Sequence, residues 1–195
     1  MNTTEKIVES YFRLCKKCFT LPDVKVIGGN NRQIDLLAYH VQTSEQYHVE
    51  VSVTHCQNWC PDKAELINNF EKKYFGVPPK KDGKNTDCSK GKTYEENIYN
   101  TYKAYGLNPN NIRRIWVCWT VIDTSNIENE LKEYCTKRGI TNNPIVVLKF
   151  RDQIIPALLK EVSTTNYEDD SLRTLSLLIQ YEKQNKHKTM RSSGS

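Results

Sequence analysis

A chain of 195 residues with 37% hydrophobic and 26% charged side chains is long enough for one domain with a real core. It holds no apolar run long enough to span a bilayer, which excludes a helical membrane protein. The formal net charge is +5. Residues 72–92 account for all of it, with seven lysines against Asp82 and Asp87. One basic segment of this kind fits contact with a polyanion as well as it fits a solvated loop.

In chain order, residues 4–17 are predicted to form the first helix. Thr3 or Thr4 caps it, Glu5 sits in its first turn, and Ile7, Val8, Tyr11, Phe12, Leu14, Cys15 and Cys18 make an apolar stripe. Pro22 ends any continuation, and Val24 to Ile27 starts a strand. The turn Gly28-Gly29-Asn30-Asn31 leads to two strands, about 33–41 and 46–54, joined by Gln42 to Gln46. Each strand carries one carboxylate inside an apolar run: Ile34-Asp35-Leu36-Leu37-Ala38 and Val49-Glu50-Val51-Ser52-Val53. By period two, His48, Glu50, Ser52 and Thr54 share one face of the second strand, and the valines share the other. A polar face on a central strand indicates a cleft, because carboxylates placed there without partners are costly.

Residues 62–75 are predicted as the next helix, entered through Pro61-Asp62. The stretch 76–92 reads as a long basic loop, and 93–105 as a third helix carrying Tyr102. Arg114 to Ile122 is a buried-type strand in which Trp116 and Trp119, three apart, face opposite sides. A helix from Ser125 to Arg138, a strand from Pro144 to Phe150, a helix from Ile154 to Val162 and a leucine-rich last helix capped by Asp170 or Ser171 follow. The domain spans 1–183. Residues 184–195 form a polar tail, and its end, Arg191 to Ser195, resembles a tag. The order gives an α/β sandwich, a mixed central sheet with helices on both faces.

Seven cysteines in a chain that opens without a signal-peptide core point to reduced thiols and a cytoplasmic setting. Cys15 and Cys18 with Cys56 and Cys60 could make a four-thiolate metal site if they converged. Buried structural cysteine is the commoner case.

The helix with Glu5 and Glu9, the Gly28-Gly29 turn, and the Asp35 and Glu50 strands together resemble the PD-(D/E)XK nuclease superfamily. The likeness covers residues 4 to about 75, and 113–160 by element order alone. It implies the restriction-endonuclease-like fold, a three-layer α/β/α sandwich. It also implies that Asp35 and Glu50 hold Mg²⁺ or Mn²⁺, that the Val51 carbonyl adds a backbone ligand, and that Glu5 or Glu9 completes the set. Ser52 stands where that family places a lysine. Three outcomes follow: a lysine has moved, with Lys63, Lys72 or Lys73 as candidates; His48 or His55 does part of its work; or the fold binds nucleic acid without cutting it. The expected activity is metal-dependent hydrolysis of phosphodiester bonds, in DNA by family analogy. Lys72, Lys73, Lys80, Lys81, Lys84, Lys90 and Lys92 are the expected phosphate-tracking surface. The alternative is a nucleic-acid-binding or adaptor protein on the same fold. The last helix leaves pairing with a second copy open.

Overall fold

The computed structural model describes residues 1–29, 31–54, 61–77, 94–121 and 126–192, with side chains to 185. The chain runs α1 (Thr3–Leu14), β1 (Phe19–Lys25), β2 (Gln33–His40), β3 (Glu45–Ser52), α2 (Lys63–Tyr74), α3 (Glu95–Ala104), β4 (Ile112–Cys118), α4 (Ile127–Lys137), β5 (Val146–Lys149), a π-helical turn (Phe150–Ile154), α5 (Ile155–Glu161) and α6 (Asp170–Ser192). The five strands lie in one sheet in sequence order. The first three form an antiparallel meander, while β4 and β5 run parallel to β3.

Alternation along the strands sends apolar side chains to both faces, so each face needs a helical cover. On one face Leu36, Ala38, Val49, Ile115 and Val117 pack with Val8 and Phe12 of α1, Leu158 of α5 and Leu172 of α6. On the other face Trp116 and Cys118 meet Leu66, Phe70 and Tyr74 of α2 and Leu131 and Cys135 of α4. Ile98 and Tyr102 of α3 pack with Val24, Ile34, Leu37 and Ile112. The molecule is therefore α/β, with a mixed five-stranded sheet between two helical layers.

Several boundaries differ from the sequence reading. Asn2, not Thr3 or Thr4, caps α1: its side chain accepts from the Glu5 N–H, and Glu5 reaches back to the Asn2 N–H. The helix stops at Leu14 because Lys17 turns left-handed (φ +54°). Strand β1 runs through Pro22, which an edge strand tolerates because one side of its backbone goes unpaired. Asp169 caps α6 by accepting from the Leu172 N–H at 2.9 Å. That helix carries on through the polar stretch from 184, which is rich in good helix formers. Trp116 and Trp119 do pack on opposite faces. No helix among the described residues is long and apolar enough to cross a membrane.

Candidate active site

Strand pairing between β2 and β3 ends at Leu36–Val49. One step further in the same register, Asp35 would lie across from Glu50. On its other side, the β1 register passes from Pro22–Leu36 to Val24–Ile34 around a left-handed Asp23 (φ +56°). Regular backbone pairing thus gives way at Asp35, and its side chain replaces part of the ladder. Asp35 Oδ2 accepts the Val51 N–H at 2.8 Å.

Two carboxylates opposed across strands repel one another. The cation that answers them comes from α2. Lys73 Nζ bonds Glu50 Oε2 and stands 3.5 Å from Asp35 Oδ1. The helix brings it there by phase. Leu66, Phe70 and Tyr74 recur at helical spacing and are fully buried, so the neighbouring Lys73 flanks the seam against the sheet. An Asp62–Glu65 capping box fixes the start of α2. Of the other candidate lysines, Lys63 pairs with Glu130 at 3.2 Å. Lys72 offers its carbonyl to Arg32 at 2.9 Å.

Behind Glu50 a second set of contacts runs into the protein. Glu50 is 1% exposed and His48 is fully buried. His48 Nε2 meets Glu50 Oε1 at 2.8 Å, and Nδ1 meets the Tyr102 hydroxyl. Burial, reinforced by the charges of Arg114 and Lys73, holds His48 well below its ordinary pKa, so it is neutral. Against an ionised Glu50, Nε2 is the donor. Nδ1 then accepts the Tyr102 O–H. Tyr74 sits edge-on to the ring, with centroids 4.8 Å apart. Three elements thereby lock the orientation of one carboxylate.

Burial raises the Asp35 pKa to about 6, with the Glu50 charge adding to it and Lys73 opposing. Burial also raises Glu50, again against Lys73. Burial alone would lower Lys73, but the charges and hydrogen bonds of Glu50 and Asp35 outweigh it and raise its pKa. The cluster is thus two acids and one held ammonium. With both acids ionised the cluster carries a net negative charge that attracts a further cation.

Asp35 and Lys73 line a cleft of about 350 Å³ together with Val26, Asn31, Arg32, Gln33, Lys72 and Ile98. Arg32 lies over the Tyr94 ring at 4.7 Å. Arg32 and Lys72 thus add two further cationic side chains to the lining of the cleft.

The remaining expected residues fall elsewhere. Glu5 is occupied in the α1 capping box, and Glu9 accepts from Thr20 at 2.8 Å. The described contacts join neither acid to Asp35 or Glu50. Ser52 ends β3, half-buried, on the Glu50 face. His55, Cys56, Cys60, Ser125 and the lysines at 80, 81, 84, 90 and 92 lie outside the described residues. Cys15 and Cys18 are free thiols packed with the α1 core, and burial raises the Cys18 thiol to about 11. No group of three His, Cys, Asp or Glu suited to a metal occurs among the described residues. A two-carboxylate set still suits Mg²⁺, which keeps several waters and commonly takes one or two carboxylates.

Sequence reasoning missed Tyr102 and Arg114. Tyr102 read as one more apolar helix residue. Arg114 had a signal: it is a charge at the head of an apolar strand run, and it proves 5% exposed.

Comparisons with protein-family models, with curated proteins and with solved structures return no match. What this site does must be read from its own atoms.

Proposed function

We propose that this protein is a metal-dependent nuclease of the PD-(D/E)XK type on a restriction-endonuclease-like fold, hydrolysing phosphodiester bonds in DNA. The observation that carries the reading is Lys73. An ammonium from α2 reaches both strand carboxylates and supplies the charge that Ser52 does not. Asp35 and Glu50 would hold Mg²⁺ or Mn²⁺ with the Val51 carbonyl. When bound, the ion would polarise the scissile phosphate and lower the pKa of an attacking water. His48 and Tyr102 keep Glu50 in one orientation. Lys73, protonated, orients the water and offsets charge developing on the phosphate. Arg32 and Lys72, neighbours in the lining of the same cleft, would contact the backbone next to the scissile phosphate.

Plasmid, linear and single-stranded DNA incubated in Mg²⁺, Mn²⁺ or EDTA test this. Cleavage should vanish in EDTA, in Asp35→Asn and in Glu50→Gln. In Lys73→Met it should fall by about 10²–10⁴-fold. Adding Ser52→Lys to Lys73→Met should recover part of the rate. A wild-type protein that cuts nothing in either metal sinks the enzyme reading.

A second reading, a non-cleaving nucleic-acid binder, draws on the same cluster. Glu50 already has a partner at each oxygen, His48 at one and Lys73 at the other. A site satisfied this way could hold the fold together without a metal. Gel retardation that is indifferent to EDTA and to Asp35→Asn, with no cleavage, would favour it.

A further inference from the structure

A second polar cavity lies near the far end of the buried contacts that begin at Glu50. It measures about 260 Å³, and Phe75, Tyr99, Asn110, Arg114, Arg138 and Asn143 are among the residues that line it. Arg114 is its unusual member. The side chain is 5% exposed, and its Nε is buried with no hydrogen-bond partner. Among the described residues no carboxylate stands within ion-pair distance of it. Its contacts are the Phe75 ring, 5.3 Å from the guanidinium carbon, and the Tyr102 hydroxyl. Taking a cation out of water into an aromatic surround is unfavourable unless an anion or hydrogen bonds offset it.

Arg138 differs in being about a third exposed and in having carboxylates nearby, although its Nε also lacks a hydrogen bond. Arg138 stands 3.3 Å from Glu71 and 3.6 Å from Glu95. Glu71 also accepts from the Tyr134 hydroxyl at 2.6 Å. Of the charged groups lining the cavity, Arg114 and Arg138 are positive and Glu95 is negative. Tyr99 donates to Glu95 at 3.1 Å, so that acid is already engaged. Both carboxylates face Arg138 and neither reaches Arg114, which is the guanidinium left without an ionic partner among the described residues. Asparagine side chains at the rim can donate as well as accept.

We infer that this cavity is an oxyanion site for a phosphate group, with Arg114 as its principal cation and Arg138 and Asn143 as further donors. Guanidinium geometry suits phosphate oxygens, and a cavity of this size admits one phosphate with water. The site is separate from the carboxylate cluster and does not depend on the nuclease reading.

Inorganic phosphate is the probe, titrated in EDTA at constant ionic strength. Binding is followed by ³¹P line broadening and by thermal unfolding. Phosphate also stabilises proteins generally, through exclusion from their surface, but that effect does not saturate. The wild type should show a saturable phase, and Asp35→Asn should keep it. Arg114→Met should lose it, with affinity down by roughly tenfold or more. Asn143→Asp, which sets a carboxylate at the rim while leaving Arg114 in place, should lose it too. Should Arg114→Met fail to fold, Asn143→Asp carries the test. A short oligonucleotide that displaces the phosphate would assign the group to a nucleic-acid backbone, and failure to displace it would assign a free phosphate. No saturable phase in the wild type, or one that survives in Arg114→Met, overturns the site.

Discussion

Asp35 is an acid held where acids are unfavourable. Its folded pKa of about 6 lies above the ordinary 3.8, so between these values the folded chain binds more protons than the unfolded one. Stability therefore falls as pH rises through that window, by about 3 kcal/mol for a shift of this size. Asparagine at this position keeps an acceptor for the Val51 N–H and removes the charge. Urea unfolding should find Asp35→Asn more stable than wild type at pH 8 and with a shallower slope between pH 4 and pH 6, the remainder belonging to Glu50, which burial also raises. A less stable variant at pH 8 would mean that pairing with Lys73 outweighs burial. Metal affinity should follow the opposite course, rising through pH 6 as the competing proton leaves. Tyr102→Phe tests the other end of the Glu50 contacts. It strands the buried His48 Nδ1 without a donor and should cost about 1–3 kcal/mol in chemical denaturation.

At the scale of elements, the hairpin was legible in the sequence because each of its signals is local. Asp35 and Glu50 interrupt apolar runs of period two, and a polar turn joins them. Lys73 was only one of three candidates, since helical phase alone places several lysines near a sheet. What separates them is tertiary: Lys63 finds Glu130 on α4, and Lys72 lies beside Arg32. His48 was seen on the right face, but its partner Tyr102 lies 54 residues away on another helix. Such a pairing leaves no periodic trace. The resemblance implies Glu5 or Glu9 as a further metal ligand, but an acid in the first turn of a helix also serves the dipole and the cap, and Glu5 is engaged in the cap. The exit of α2 is a sharper constraint than its sequence suggests. Gly76 has φ +63°, and a Cβ there would stand 2.7 Å from the Tyr94 backbone. Gly76→Ala should therefore lower stability by about 1–3 kcal/mol in thermal unfolding. It should also reduce any cleavage, since α2 carries Lys73.

For the whole molecule, charge and architecture divide the work. Two helical layers close over the apolar faces of the sheet, and Asp35 of β2 and Lys73 of α2 line a cleft with Arg32 and Lys72. The excess charge of the chain is concentrated in 72–92, immediately downstream in sequence. If the five lysines at 80, 81, 84, 90 and 92 track a duplex backbone, the logarithm of affinity should fall with the logarithm of salt at a slope of roughly −4 to −5. Filter binding between 50 and 200 mM salt, values of the order at which counterion release is usually read, would measure it. A flat response would mean that the basic segment does not touch the ligand. Along α6, Leu172, Leu175 and Ile179 pack inward while Leu177, Leu178 and Tyr181 remain exposed.

The origin of Lys73 has a consequence in time. A lysine on β3 would arrive with the hairpin, whose strands pair across a short turn and can form early. A lysine on α2 arrives only when that helix docks, bringing Phe70 and Tyr74 onto Trp116. Until then the hairpin holds two acids with no cation between them. The charge cancellation that completes the site and the packing that completes the core are thus one event. A half-folded chain has carboxylates but no site, so cleavage, where it occurs, should appear only once α2 has docked.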